Sequence, residues 1–415
     1  MRERGGELPN SAGDPDERLD VGPSRLVDEP LVLDLFCGAG GLSLGFEMSG
    51  YRVGLGVEKE ELPFRTHCLN FGGRCHLGDI REVVDPLAFV REHGLARVDV
   101  VVGGPPCQGF SRVGRGKIRS LRRDPTFIHD PRNQFYKEFV RFVEAIRPSH
   151  FVMENVPDLQ YYLDGEEPLL QKALCRFESL GYTVGWRVLE AHHYGVPQTR
   201  KRLFVVGVPK GQEVPWPEKT HESKPVTVWQ AISDLPVVSH GHREDEMLYK
   251  PRRGLSRYQR LMRRDSNGVL YNHQTRWHNE QDLAAFAWLR EGDKYADLPD
   301  EYKRYRDDIF KDKYWKLYRK RPSWTIEAHI GKDSYRHIYP SLDEGVHPAR
   351  TISVREAARL QSFPDRFRFC GPFTRQFMQV GNAVPPLLAR AVAEAVLPGV
   401  LDFMEVPTRV TQQSA

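Results

Sequence analysis

Short apolar runs alternate with helix-length segments through the first half of the chain. Residues 31–36, Leu-Val-Leu-Asp-Leu-Phe, form an apolar run ended by glycines, the pattern of a strand covered on both faces. Residues 51–57, 98–102 and 150–153 repeat it, and the helix-length segments 42–49, 85–93 and 133–146 lie between these runs. This alternation predicts a mostly parallel α/β sheet. Residues 183–189 and 202–208 are strand-like and close this half. After Pro209 the alternation stops, and Pro, His, Arg, Trp and Tyr follow without regular spacing. A helical pattern returns at 353–361 and again at 386–396. The expected organisation is a disordered tail over 1–28, a main domain over 29–209, an irregular domain over 210–350, a return to the main domain over 351–405 and a second tail over 406–415.

Length agrees with two domains, because 415 residues exceed the usual size of one core. No apolar run approaches the roughly 20 residues of a membrane helix. The first residues carry no apolar stretch after their basic ones, so no secretory signal is expected and the predicted location is cytoplasmic. The 6 cysteines are scattered without zinc-finger spacing, which predicts free thiols in a reducing compartment and no bound metal. A formal net charge of +4 does not demand a nucleic-acid partner. The distribution of charge says more than its total.

Candidate chemistry sits at the ends of the predicted strands. Gly38, Gly40 and Gly41 turn the chain from the first strand into a helix beginning near Leu42, where backbone N–H groups can meet an anionic ligand. Ser43 stands where a dinucleotide fingerprint would have its last glycine. Glu58 ends the next strand, placed to accept from ribose hydroxyls, and Asp79 beside Ile80 follows a third short strand, where an acid can accept from an adenine amino group. Cys107 lies in Gly-Gly-Pro-Pro-Cys-Gln-Gly-Phe-Ser (103–111), a proline-stiffened turn after a strand, where a thiol can be exposed and reactive. A basic stretch follows it, with Arg112, Arg115, Lys117, Arg119, Arg122 and Arg123. Such charges suit phosphate contacts. Two further basic stretches lie in the irregular domain: Arg252 to Arg264, and Arg304 to Arg321 interleaved with Tyr305, Tyr314, Trp315 and Tyr318.

Taken together these motifs resemble an ordered set. DLFCGAGG, GGPPCQGFS, ENV at 154–156, QTRKR at 198–202, RTISVREAARLQSFPD at 350–365 and QVGNAVPP at 379–386 are similar, in sequence and in order, to the motifs of the DNA (cytosine-5) methyltransferase family. The resemblance implies a Rossmann-like S-adenosylmethionine-dependent methyltransferase domain with a smaller target-recognition domain between QTRKR and the penultimate motif. It implies Cys107 as the covalent nucleophile, Glu154 as proton donor to the cytosine ring, and Arg200 and Arg202 near the base and the catalytic loop. Asn155 is expected to orient neighbouring backbone. Phe36, Gly38, Gly40, Gly41, Leu42, Glu58, Asp79, Ile80, Pro105 and Asn382 are expected around S-adenosylmethionine, and Gln108, Ser111, Arg112, Arg115 and Lys117 on DNA. The target base must be flipped out of the duplex to be reached. The expected partners are double-stranded DNA and, for a prokaryotic modification enzyme acting as a monomer, a restriction endonuclease of the same site. An RNA cytosine-5 methyltransferase shares the motifs, but the RNA-acting branch has a reduced recognition region, and the span here favours DNA. A non-catalytic binder would not need Cys107 with Glu154, and a thiol redox enzyme would want a second cysteine near Cys107 in sequence.

Overall fold

The structure, a computed structural model, describes residues 29–106, 135–164, 166–249, 253–306, 313–333, 335–341 and 349–405. Both expected tails, Cys107 and the basic stretch after it lie outside these residues.

Strands β1 (Leu31–Leu35), β2 (Arg52–Glu58), β3 (Cys75–Leu77), β4 (Val100–Gly103) and β5 (His150–Asn155) pair in parallel. β6 (Tyr182–Glu190) and β7 (Lys201–Pro209) join antiparallel, giving the seven-stranded order β3-β2-β1-β4-β5-β7-β6. Successive strands are added outward from β1 to one side as β2 and β3 and to the other side as β4 and β5, so the strand order reverses between β1 and β4. This is the switch point beside whose carboxyl ends α/β proteins place their ligands.

The strands are apolar throughout because both faces are covered. Val100 and Val102 point to one layer and Val101 to the other, as period-two alternation requires. One layer holds α3 (Pro86–Glu92), α4 (Phe135–Ile146) and α5 (Leu169–Ser179), whose Phe89, Phe139, Phe142 and Phe177 are buried with Leu33, Val101 and Met153. The opposite layer holds α1 (Gly41–Glu47) and α2 (Glu61–Asn70). It also takes α6 (Val228–Ile232), α7 (Arg257–Arg263), α9 (Val354–Leu360), α10 (Phe373–Asn382) and α11 (Pro386–Glu405). The returning C-terminal helix packs on α1: a Cβ on Gly45 would collide with Ala389, and Tyr51 donates to the Ala393 carbonyl at 3.1 Å. Among the described residues no helix is long and apolar enough to cross a membrane.

Residues of the segment after Pro209 divide between two cores. Val228, Ile232, Tyr258, Met262 and Leu270 are buried with the sheet's own valines, whereas Phe286, Leu289, Tyr295, Leu298, Tyr314 and Ile338 form a small separate cluster around α8 (Glu280–Trp288). The RTISVREAARLQSFPD stretch is scaffold at this junction. Arg350 binds Glu356 through two contacts of 2.7 Å, and Arg359 bridges Asp234 and Asp365 at 2.7 and 2.6 Å, all of them buried. Charges removed from water in this way hold only as satisfied sets.

Candidate active site

The first glycine turn is shaped by its backbone. Gly38 and Gly40 have φ of 55° and 98°, a region that side-chain-bearing residues rarely adopt, and Phe36 shares it at 61°. A Cβ on Gly38 would meet nothing within 4 Å, so the turn is open on that side. A Cβ on Gly41 would collide with the Val384 carbonyl oxygen, so the start of α1 and the segment after Asn382 touch only because Gly41 has no side chain. Leu42 is buried, and Asn382 is exposed at the end of α10, beside that contact.

Glu58, at the end of β2, accepts from the Gly38 N–H at 2.9 Å and the Glu60 N–H at 2.7 Å. Burial pushes its carboxyl up, and the backbone donors hold it partly back. Asp79 caps the turn Ile80–Glu82 and is ion-paired with Lys59 at 2.8 Å and Arg81 at 2.5 Å, which hold it well below the usual carboxylate range. An adenine amino group at Asp79 would share that carboxylate with both cations. Ile80 is buried, and Phe36 meets Phe135 edge to face at 5.7 Å. An open glycine turn, two apolar side chains and a strand-end carboxylate are the donor set an adenosyl group with a ribose diol needs. These residues fit S-adenosylmethionine.

The second centre lies at the ends of β4 and β5. Gly103 pairs with Met153, which puts Glu154 beside the Gly104–Pro106 turn that leads into Cys107. A Cβ on Gly104 would lie 2.9 Å from Glu154 Oε2, so glycine there lets the carboxyl stand against the turn. Asn155 donates to the Pro105 carbonyl at 3.0 Å and accepts from the Val156 N–H at 2.9 Å, tying β5 to the same turn. Arg202 meets Glu154 at 2.7 Å. Burial is the main influence on this carboxyl and pushes it up, against the opposing charges of Arg202 and Arg200.

Arg200 and Arg202 divide the work expected of them jointly. Arg202 faces Glu154. Arg200, fully buried, donates to the carbonyls of Ile326, Gly381 and Ala383 at 2.7, 2.8 and 3.2 Å. Gln198 accepts from the Ile326 N–H at 2.8 Å and donates to Gln361 at 2.6 Å, and Gln361 donates to the Ala383 carbonyl at 2.6 Å. QTRKR, the penultimate motif and QVGNAVPP thus meet in one buried amide–guanidinium net. A lone glutamine has no periodicity to read, so the sequence alone does not single out Gln198 or Gln361 for this role.

Several residues of the two basic stretches after Pro209 are used internally. Tyr314 is buried, Trp315 stacks on Trp324 with centroids 3.9 Å apart, and the Lys316 ammonium donates to the carbonyls of Phe286 and Leu289. Arg263, Arg304 and Arg319 pair with Asp234, Asp282 and Glu291. Trp277 and Trp288 remain exposed at 63% and 43%.

The sequence pattern of the C-5 cytosine-specific DNA methylase family matches residues 31–397, nearly the whole described chain. The chain belongs to that family. This methylase is 36% identical to the type II methyltransferase M1.HphI of Haemophilus parahaemolyticus, over 88% of this chain and 86% of that protein. It is 34% identical to M.AgeI of Thalassovita gelatinovora, over 88% and 98%. Its fold matches the crystal structure of a prophage-encoded E. coli protein described as a DNA modification methyltransferase, with a TM-score of 0.71 and 26% identity, over 90% of this chain and 100% of that one. Family and fold make the methylase an S-adenosylmethionine-dependent DNA cytosine-5 methyltransferase.

Proposed function

We propose that this methylase modifies one cytosine within a specific duplex sequence through a covalent adduct on Cys107, and that it protects host DNA against a restriction endonuclease of the same site. The observation that carries the mechanism is the buried Glu154 carboxyl, braced by Arg202 and standing against the Gly104–Pro106 turn one residue before Cys107. Carbon 5 of cytosine is a weak nucleophile. Addition of the Cys107 thiolate to carbon 6 forms the S–C6 bond and moves the ring electrons toward N3. Glu154 gives its proton to N3 there, and burial, which holds that carboxyl above its ordinary value against the charges of Arg202 and Arg200, favours the protonated form this step needs. S-Adenosylmethionine supplies an electrophilic methyl group on its sulfonium. The enamine carbon 5 takes that methyl as the sulfonium C–S bond breaks. Loss of the C5 proton to water then forms the C5–C6 double bond as the S–C6 bond breaks and Cys107 leaves as thiolate, and N3 returns its proton to Glu154.

Glu58 and the open turn at Gly38 orient the donor, and the stretch from Gln108 and Ser111 through Arg112, Arg115 and Lys117 holds the DNA around the flipped base. The type II relatives support the restriction pairing, because such modification enzymes share a site with a nuclease. Duplex DNA carrying 5-fluorocytosine at the target tests the reading, since fluorine cannot leave as a proton does. Wild-type protein should form a denaturation-resistant adduct, and Cys107→Ser should form none while still binding S-adenosylmethionine and DNA. An adduct on another cysteine, or methylation by the variant, would refute it.

A further inference from the structure

Beneath α2, on the side of β2 and β3 away from α3, three donors from different elements converge. Cys37 ends the first strand's turn, His67 lies on α2 and Cys75 opens β3. Their ligand atoms all lie within 4.8 Å of one another, and the two Sγ atoms are 3.6 Å apart. A tetrahedral zinc ion with Zn–S bonds of about 2.3 Å holds its sulfurs about 3.8 Å apart, close to this spacing. Gly56 pairs in register with Cys75 and so faces the same layer. A Cβ on Gly56 would lie 2.8 Å from both Cys37 Sγ and His67 Cε1, so the absence of a side chain there lets the sulfur and the imidazole ring approach each other.

The imidazole has one nitrogen engaged and one free. Ser43 donates to Asp34 at 2.6 Å, so at its 3.2 Å contact with His67 Nε2 the hydroxyl must accept. That places the ring proton on Nε2 and the free lone pair on Nδ1, which is buried with no hydrogen-bond partner among the described residues. A carboxylate–hydroxyl–imidazole relay is the kind of outer contact that fixes a metal-bound histidine. His67 is itself fully buried, and Cys68, the next residue on α2, brings a further thiol into contact with Cys75.

We propose that Cys37, His67 and Cys75 bind a soft divalent cation of the zinc type, tying the glycine turn, α2 and β3 together. Two thiolates and one neutral imidazole make a dication electrically neutral, which suits a buried position. Each thiol gives its proton to solvent as its sulfur lone pair forms the metal–sulfur bond, and no redox change occurs. Spacing rules cannot find this site, because the three residues lie on separate elements and meet only through the pairing of β2 with β3.

The test uses the full-length, reduced, metal-free protein under anaerobic conditions, titrated with Co²⁺ and then displaced by Zn²⁺. The expected result is a thiolate-to-cobalt charge-transfer band with tetrahedral visible bands, saturating at one equivalent and accompanied by proton release. Cys107→Ser should keep the band. Cys75→Ser should weaken binding at least tenfold and lower the charge-transfer intensity. Gly56→Ala, which retains every ligand but crowds the Cys37 sulfur and the His67 ring, should also weaken it at least tenfold. On unmodified protein, Zn²⁺ should slow alkylation of Cys75 and Cys37 and leave the exposed Cys175 unaffected. Lack of the band, a band abolished with Cys107, tight binding in both Cys75→Ser and Gly56→Ala, or alkylation of Cys75 indifferent to Zn²⁺ would each overturn the proposal.

Discussion

Arg202→Met removes the charge that faces Glu154 and keeps most of the stem's length. The two groups meet at 2.7 Å, and their side chains are only 14% and 11% exposed, so solvent screens them weakly. With charge centres about 4 Å apart and an effective dielectric near 20, the attraction is worth about 4 kcal/mol. The charge of Arg200 remains nearby and retains part of it. The destabilisation should therefore be about 2–4 kcal/mol whenever Glu154 is ionised. Protonation of Glu154 relieves it, which makes the effect depend on pH.

Burial already holds the folded carboxyl above its unfolded value of about 4.3, and the variant raises it further. Between the unfolded and folded values the native state binds more protons than the unfolded state, so stability falls as pH rises through that window. The window is wider in the variant. Wild type and Arg202→Met should thus differ least at the acid end of a pH series, where Glu154 is protonated in both, and by about 2–4 kcal/mol at its alkaline end, where Glu154 is ionised. Urea unfolding across that series, with unchanged m, reads this difference directly. Equal destabilisation at both ends would show that Glu154 and Arg202 are not coupled as ions, and the proton-donor assignment would lose its electrostatic basis.

Three further outcomes follow from other parts of the molecule. Glu58→Ala removes the acceptor proposed for the ribose hydroxyls; loss of a charged partner costs about 1.5–3 kcal/mol, so calorimetry should show S-adenosylmethionine binding roughly tenfold or more weakly, and unchanged affinity in a folded variant would take Glu58 out of the site. Gly41→Ala drives a methyl group into the Val384 carbonyl, and thermal unfolding should show a destabilisation of about 1–3 kcal/mol; an unaltered melting temperature would mean that α1 and the C-terminal segment are not held that closely. Replacing Arg115, Lys117 and Arg119 by alanine should lower the slope of log affinity for duplex DNA against log salt by about 0.9 for each phosphate no longer neutralised, and an unchanged slope would place these charges away from DNA.

The strands of the main sheet were legible because burial on both faces writes them as continuous apolar runs, and β1, β2, β4 and β5 fall within a few residues of expectation. α2 was not legible. Its sequence, Glu-Leu-Pro-Phe-Arg-Thr-His-Cys-Leu-Asn, carries a proline, a threonine and a histidine with no apolar stripe. It stays helical through tertiary contacts, among them Thr66 donating to Gln379 at 2.6 Å and accepting from the Cys370 N–H at 2.8 Å. α10 does carry apolar positions at helical spacing, Phe373, Phe377 and Val380, but its end coincides with a motif that reads as a loop.

Which residue types carry the chemistry was fixed along the chain: a cysteine on a stiff turn, an acid at a strand end, and glycines before a helix. These follow from local order, since a strand end and its turn are set by a few consecutive residues. What each charged group does was decided only by folding. Arg200 and Arg202 are two residues apart, yet one clamps carbonyls of the returning chain and the other braces Glu154. The basic and aromatic run near 304–321 reads as a DNA-facing surface, yet Tyr314, Lys316 and Arg319 are satisfied within the protein. The physical reason is common to both cases. A charge or a polar ring must be satisfied wherever it is buried, and its partners come from segments more than a hundred residues away for Arg200 and about thirty for Lys316 and Arg319, brought close only when the sheet closes and the C-terminal helices return.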